Sequence, residues 1–356
     1  MNNIYLSREA EVLSPYTPGE QPKENNFIKL NTNESPFPPS PKVMDIISRE
    51  EVGKLYLYPD PECGILIQAV ADYYNNFNIK PENIIPGNGS DEILAFAFRA
   101  FCGQGKPVAY ADITYGFYQA QSALFGLDAK IIKLKDNFVL DIDDYLDFPG
   151  TVFIANPNAP TGMAIEVDQI ERLLKSNPER VVVIDEAYVD FGAESCVRLI
   201  EKYQNLLVVQ TFSKSRSLAG GRVGFGMGSQ ILIENLNRVK YSWNPYNINR
   251  LSILAAAAAI SDIDYFKRCT SEIIAVREKI TRDLKSIGFT VLTSRANFIF
   301  AAHESISGGD LYRGLKSRGI LVRWFDAPRL DRFVRITIGS REQMAKLLET
   351  VREMME

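Results

Sequence analysis

Histidine is almost missing from this chain of 356 residues, in which His303 is the single example. Histidine is the commonest metal ligand in proteins and the base of Ser-His-Asp triads. Either kind of site would have to be built around His303, whose surroundings, AAHESISGGD, are typical of a loop that follows a strand. We therefore expect His303 to be structural or to face solvent, and we expect no metal centre.

Paired cysteines are also missing, because Cys63, Cys102, Cys196 and Cys269 lie far apart and form no CxxC motif. This spacing argues against a zinc ribbon and against a disulfide framework, and isolated thiols are typical of a reducing compartment. The first residues lack the regions of a signal peptide, and the longest apolar run, near 254–260, is too short to span a bilayer. We expect a cytoplasmic protein that does not enter a membrane.

An excess of positive charge is the third absence. The chain has 40 Lys and Arg against 44 Asp and Glu, which gives a net charge of −4. Proteins that bind nucleic acids usually carry a basic field, and none is visible here. We therefore do not expect nucleic acids among its partners.

Short apolar runs that alternate with helical stretches follow from about residue 84, for example TVFIAN, VVVIDEA and LLVVQTF. Strands that are apolar almost throughout are buried on both faces, which predicts an α/β fold with a mainly parallel sheet between helices. From about residue 260, a long amphipathic helix and four further strands predict a smaller α+β domain. We divide the chain into an arm (1–50), a large domain (51–258) and a small domain (259–356).

Polar residues follow two of the buried strands. One strand ends in Asp185 and is followed by Tyr188, and the next is followed by Ser213 and Lys214. In open α/β sheets, ligands bind at the carboxyl ends of the strands. A lysine buried at such a position has a lowered pKa, which makes its amine nucleophilic.

Three further segments suit the same ligand. The turn GNGSDEIL presents free backbone N–H groups of Ser90 and Asp91 to an anion, and Thr211 and Arg222 suit a phosphate. Tyr115 could stack on a flat ring. Pyridoxal 5′-phosphate (PLP) needs an amine, an acid for its pyridine nitrogen, phosphate donors and a stacking face, and the sequence supplies all four.

These segments resemble the fold-type I PLP aminotransferases, and within them the histidinol-phosphate aminotransferases. The resemblance covers nearly the whole chain. It rests on LNTNESPFPPSP, LYLYPDPE, GNGSDEIL, DEAYVDF and, most specifically, TFSKSRSLAGGRVGF. It implies a seven-stranded, mainly parallel sheet, a homodimer and transamination between L-histidinol phosphate and 2-oxoglutarate, which yields imidazole-acetol phosphate and L-glutamate in histidine biosynthesis.

The resemblance also implies roles for individual residues. Lys214 would carry PLP as a Schiff base, Asp185 would pair with the ring nitrogen, Tyr188 would bind the ring oxygen and Tyr115 would stack on the ring. The phosphate would be surrounded by Ser90, Asp91, Thr211, Ser213 and Arg222, with Tyr58 reaching it from the other subunit.

One segment departs from the family pattern. The family usually has PNNPTG, and its second asparagine binds the ring oxygen, whereas Ala159 stands at that position here. Either Tyr188 makes the contact alone, or the amide of Asn158 or Asn156 moves in. The two prolines of this segment make a cis X-Pro bond plausible.

Both implied substrates are anions, so a shared arginine fork could bind either. Arg335 and Arg323 are the candidates. The resemblance also implies that Tyr16 and Asn247 line the pocket, and Tyr16 and Trp324 are candidates for the walls around the imidazole. The alternatives are an aromatic or broad-range aminotransferase and a PLP decarboxylase of the threonine-phosphate type. A PLP-bound regulatory module is disfavoured, because no segment is left for a DNA-binding domain.

Overall fold

The computed structural model describes residue 13, residues 19–21 and residues 27–355. Its largest element is a sheet whose seven described strands run in the spatial order β2-β8-β7-β6-β5-β3-β4. The strands are β2 (Ile84–Gly87), β3 (Val108–Ala111), β4 (Ala129–Ile132), β5 (Thr151–Ala155), β6 (Val182–Asp185), β7 (Leu206–Thr211) and β8 (Gly224–Gly228). Within this sheet β8 is antiparallel to both of its neighbours, and the remaining pairs are parallel. The prediction of a mainly parallel α/β sheet is confirmed.

Helices cover both faces of this sheet, which explains why its central strands are apolar throughout. On β6, Val182 and Ile184 face one core, together with the helices α3 (Gly64–Tyr73), α6 (Val167–Ser176) and α8 (Arg250–Ser261). The intervening Val183 faces a second core with α4 (Ser90–Phe101) and α7 (Gln230–Trp243). Alternation along an extended strand thus fills two layers at once.

The C-terminal part forms a smaller antiparallel sheet of order β12-β13-β10-β9. Its strands are β9 (Thr290–Val291), β10 (Phe298–Ala302), β12 (Arg323–Trp324) and β13 (Phe333–Thr337). It packs with the 24-residue helix α9 (Ile263–Ser286), α10 (Gly308–Ser317) and α11 (Arg341–Met355). The antiparallel pairing and the helices agree with the α+β character expected from the sequence.

The early part of the chain has more regular structure than the proline-rich sequence indicates. Strand β1 (Ile28–Lys29) pairs in parallel with β11 (Ile320–Leu321). Helices α1 (Pro41–Ile46) and α2 (Arg49–Gly53) follow, each with a serine at its N-cap, and α5 (Phe117–Leu124) lies beside the large sheet. A serine cap and a proline in the first turn favour a short helix even in a proline-rich stretch.

No helix in the described ranges combines the length and the apolar character needed to cross a membrane.

Candidate active site

A pocket of about 430 Å³ opens where β6 and β7 end. Asp185 is the last residue of β6, and its register partner Val209 lies two residues before the end of β7. Because neighbouring parallel strands end at the same edge, the residues that follow them converge. Predicted residues that line the pocket are Ser90, Asp91, Tyr115, Asp185, Tyr188, Thr211, Ser213, Lys214, Arg222, Arg323 and Arg335.

Asp185 is an acid held at the floor of the pocket. Its side chain is buried, and both carboxylate oxygens accept hydrogen bonds, from Tyr118 Oη at 2.9 Å and from the backbone N–H of Ala187 at 3.1 Å. Burial raises the pKa of Asp185 to about 6, although the hydrogen bond from Tyr118 lowers it. A cationic N–H placed against this carboxylate would offset the cost of its burial.

Lys214 follows β7 by three residues, and its amine points into the pocket. Nζ donates to the backbone oxygen of Thr32 at 3.3 Å and lies 5.7 Å from the centre of the Tyr188 ring. Burial, reinforced by the positive charge of Arg335, lowers the pKa of Lys214 to about 8. The amine is therefore partly neutral near physiological pH and can act as a nucleophile or a base.

An anion cup lies beside this lysine. Helix α4 begins at Ser90 and directs its N-terminus at the pocket, and the hydroxyls of Thr211 and Ser213 lie 3.0 Å apart. Arg222 Nη1 lies 3.5 Å from Ser213 Oγ. Helix N-termini, hydroxyls and an arginine are the donors that phosphate groups require.

Gly89 makes this cup possible. Its φ of 79° lies in the left-handed region, and a Cβ at this position would come within 2.7 Å of Arg222 Nη2. Glycine alone can supply this turn without displacing the guanidinium.

The side chain of Asp91 connects the anion cup to Tyr115. Its carboxylate accepts from Tyr115 Oη at 2.9 Å and pairs with Arg222 Nη2 at 3.2 Å. The contact fixes the ring of Tyr115 at the edge of the pocket, where an aromatic face is available to a flat ligand.

The segment with the departure from the family pattern has cis bonds before both Pro157 and Pro160. The side chain of Asn156 bonds the backbone of Ile165 in both directions. Asn158 accepts from Thr114 Oγ1 at 2.7 Å and donates to the backbone oxygen of Ile113 at 2.9 Å. The structure therefore does not bring Asn158 into the pocket, whose lining here consists of Pro157 and Ala159.

Arg323 and Arg335 lie on neighbouring strands and are register partners, so their side chains share one face of the small sheet. Arg335 Nη2 donates to the backbone oxygen of Asn31 at 2.9 Å, and its guanidinium lies 5.7 Å from the ring centre of Phe325. Two guanidinium groups on one wall of a pocket attract an anionic ligand.

Other predicted residues lie elsewhere. Tyr58 is 80% exposed and stacks on Tyr246, with ring centres 4.6 Å apart. Asn247 hydrogen-bonds Glu92, and Trp324 donates to a backbone oxygen outside the pocket. Tyr16 lies outside the described residues.

Four residues that sequence reasoning missed also build the site: Thr32 and Asn33 from the arm, Phe325 directly after β12, and Tyr118 behind Asp185. Tyr118 lies three residues after Tyr115, a spacing that places both on one side of a helix start. Thr32 and Asn33 belong to the segment LNTNESPFPPSP, which carries part of the family resemblance, but nothing in that segment indicated that they line the pocket, because their neighbours there lie far away in the chain.

A lysine and an acid at the ends of adjacent strands, together with an anion cup, define a PLP-dependent transferase with a fold-type I architecture. The chain belongs to the family of class I and II aminotransferases, whose model matches residues 25–351.

The proteins to which it is similar within this class include histidinol-phosphate aminotransferases. It is 51% identical to the histidinol-phosphate aminotransferase of Brachyspira hyodysenteriae and 48% identical to that of Clostridium acetobutylicum, with 98% of both chains covered in each case. Among solved structures, it resembles histidinol-phosphate aminotransferase from Sinorhizobium meliloti in complex with pyridoxal-5′-phosphate. That match has a TM-score of 0.81 and 26% identity, and it covers 92% of this chain and 91% of that one.

Proposed function

We propose that this protein transfers an amino group between L-histidinol phosphate and 2-oxoglutarate, giving imidazole-acetol phosphate and L-glutamate, with PLP as its cofactor. The observation that carries the proposal is the identity of about 50% over 98% of the chain with relatives of that activity. The pocket supports it, because it offers one anion cup for a cofactor and a separate arginine wall for anionic substrates.

The residues at the floor of the pocket fit PLP. Lys214 would bind the aldehyde carbon, Asp185 the ring nitrogen, Tyr188 the ring oxygen, and Tyr115 one face of the ring. The cup formed by Ser90, Asp91, Thr211, Ser213 and Arg222 would hold the phosphate. When bound, PLP supplies an electron sink for the negative charge that develops at the substrate α-carbon.

Lys214 is the residue that would move the proton. Once a substrate amine has displaced it, its own amine is free within the pocket, and a pKa of about 8 leaves enough of it neutral to accept a proton from the α-carbon. Asp185 would keep the ring nitrogen protonated, since a carboxylate buried beside it stabilises a cationic N–H.

Arg335 and Arg323 would bind the anionic ends of both substrates in turn. Their shared face at the pocket supports this role, and Phe325 offers an apolar surface for an imidazole. A site that accepts an amino donor and then an amino acceptor needs contacts that suit a carboxylate and a phosphate alike, which a guanidinium fork provides.

A homodimer would complete the site. Tyr58 stacks on Tyr246, and the large side chains that lie close to these two residues in the chain, Tyr56 and Trp243, are 83% and 69% exposed. Exposed apolar clusters of this kind are typical of interfaces. We propose that Tyr58 reaches the cofactor phosphate of the neighbouring subunit. We also propose that Asn247 and Tyr16 lie near the substrate.

Two further proposals concern the cellular location of the protein and the division of its chain into domains. We propose a cytoplasmic enzyme, because its four cysteines are free and buried. We also propose the division into an arm at 1–50, a large domain at 51–258 and a small domain at 259–356. The separate apolar core around β10 and β13 supports it.

A coupled assay tests the activity directly. The purified protein, loaded with PLP, is given histidinol phosphate and 2-oxoglutarate, and glutamate is measured. Parallel reactions contain phenylalanine or threonine phosphate as the amine, and carbon dioxide is measured in the last. We expect glutamate to form fastest with histidinol phosphate. Preferred turnover of phenylalanine, or release of carbon dioxide from threonine phosphate, would replace the proposal with an alternative.

A further inference from the structure

Asn33 is a buried residue of the arm that reaches the candidate active site. Its backbone has a φ of 57° and is held on both sides. Its N–H donates to Thr337 Oγ1 at 2.9 Å, and its backbone oxygen accepts from Asn297 Nδ2 at 2.9 Å. Because both partners belong to the small sheet or the loop beside it, Asn33 is fixed to that part of the molecule.

The orientation of the Asn33 amide follows from Thr337. The Thr337 hydroxyl is buried and already accepts a hydrogen bond from the Asn33 backbone, so its own proton needs an acceptor. Asn33 Oδ1 lies 3.1 Å away and provides one. The amide nitrogen therefore points the other way, where it donates to Tyr188 Oη at 2.9 Å.

This contact determines what the Tyr188 hydroxyl can do. Its oxygen accepts from Asn33, so its proton is directed elsewhere, and Tyr188 lines the pocket. Burial raises the pKa of Tyr188, which keeps the hydroxyl protonated. The ring cannot turn freely, because it packs edge-on against Phe298 with centres 5.0 Å apart.

Neither asparagine of the segment around Ala159 is available to hold the Tyr188 hydroxyl. The amides of Asn156 and Asn158 are engaged with the backbone of their own loop and its neighbours. Ala159 packs against Tyr188 and brings a methyl group, not an amide, to the pocket.

We propose that Asn33 is a positioning residue that directs the Tyr188 hydroxyl into the pocket as a hydrogen-bond donor, beside position 159, where Ala159 brings a methyl group and no amide. The inference rests on the proposed PLP site, in which this hydroxyl faces the ring oxygen of the cofactor. It also links the small sheet, through Thr337, to a group that contacts the cofactor.

The test compares Asn33→Gly with Asn33→Asp in the PLP-loaded protein. Glycine removes the amide and tolerates the left-handed backbone. Aspartate offers an acceptor only, so Tyr188 would donate to it and turn away from the pocket. The readout is the pH midpoint of the visible absorbance of bound PLP. A donor to the ring oxygen stabilises its negative charge, which lets the neighbouring lysine linkage lose its proton at lower pH.

We expect Asn33→Gly to raise this midpoint by about half a unit to one unit, and Asn33→Asp to raise it further. The matched control is Asn78→Gly, since Asn78 also has a left-handed backbone (φ 55°) but is exposed and lies outside the pocket. It should leave the midpoint unchanged.

A double-variant comparison shows whether Asn33 acts through Tyr188. In a Tyr188→Phe background the Asn33→Gly shift should vanish, and adding Ala159→Asn to Asn33→Gly should reverse part of it. An equal shift in the Tyr188→Phe background, or an unchanged midpoint in both Asn33 variants, would overturn the inference. Failure of the wild-type protein to bind PLP would instead overturn the proposed function.

Discussion

The pocket has two walls of different origin. The strand-end wall consists of Asp185, Ser213 and Lys214, which follow two adjacent strands of one sheet. The other wall, which we call the arm wall, consists of Asn33 from the arm and Arg335 from the small sheet. These two residues come from opposite ends of the chain.

The first wall is positioned by the hydrophobic burial of its strands, and the second by hydrogen bonds between segments about 300 residues apart. We infer that the strand-end wall performs the chemistry and that the arm wall orients and binds. The following predictions test that division.

The largest effect should come from Lys214→Ala. We expect turnover to fall by more than about 10⁴-fold, because the variant loses both the nucleophile and the base. The visible absorbance of bound PLP should also disappear, and both are measured on the purified protein. Lys202→Ala is a suitable control, because Lys202 lies on the surface in an ion pair with Glu171. A Lys214 variant with normal activity would contradict the assignment.

The pH dependence of cofactor uptake should expose the same lysine. Only the neutral amine attacks an aldehyde, and the pKa of Lys214 is lowered to about 8. The rate at which the PLP-free protein gains visible absorbance should therefore rise about 50-fold from pH 6 to pH 8 and change little above that. A rate that continues to climb tenfold per unit beyond pH 9 would show a lysine with an ordinary pKa.

A change in the arm wall should affect binding more than chemistry. Arg335→Ala removes a charged hydrogen-bond donor, so KM for both glutamate and histidinol phosphate should rise about 10- to 100-fold, with a smaller change in kcat. Steady-state kinetics with each substrate measures this, and Arg332→Ala on the neighbouring exposed segment serves as the control. If one substrate alone were affected, shared binding by Arg335 would be wrong.

The smallest effect belongs to a residue behind the strand-end wall. Tyr118→Phe removes one hydrogen bond to Asp185, and kcat should fall about 2- to 10-fold. That bond favours the charged carboxylate, so its loss raises the pKa of Asp185. The affinity for PLP, which falls as Asp185 becomes protonated at low pH, should therefore begin to fall at a higher pH in the variant. Tyr110→Phe is the control, because the Tyr110 ring packs against Tyr118, with ring centres 5.9 Å apart, and does not line the pocket. If the affinity for PLP fell over the same pH range in the variant and in the wild type, Tyr118 would not lower the pKa of Asp185.

Most of the strand-end wall could be read from the sequence. Asp185, Ser213 and Lys214 each follow a run of buried apolar residues, and such runs predict both a strand and the edge where it ends. The glycine turn before Ser90 is a local signal of the same kind. The α/β fold and the mainly parallel sheet followed from that alternation too.

The arm wall could be predicted only in part, because Arg335 was a candidate through the family resemblance whereas Asn33 was not a candidate at all. Asn33 lies in a proline-rich stretch without periodicity, and its contacts with Tyr188 and Thr337 span 155 and 304 residues. The same limit explains the segment around Ala159, where the sequence left Asn156 and Asn158 as open alternatives. The amide of Asn156 bonds the backbone of Ile165, whereas that of Asn158 bonds the backbone of Ile113 and the hydroxyl of Thr114. No pattern of residue types indicates which partner a buried amide will find.

The sequence by itself therefore determined the class of fold, the lysine, the acid and the anion cup, because burial of strands is a local and periodic property. Only the tertiary structure decided that Asn33 faces Tyr188, that Arg323 lies beside Arg335, and that Tyr118 supports Asp185. Those arrangements depend on how distant segments pack. Each buried polar group needs a hydrogen-bond partner, and packing determines which groups lie within its reach. The partner is therefore set by the tertiary structure and not by the local sequence.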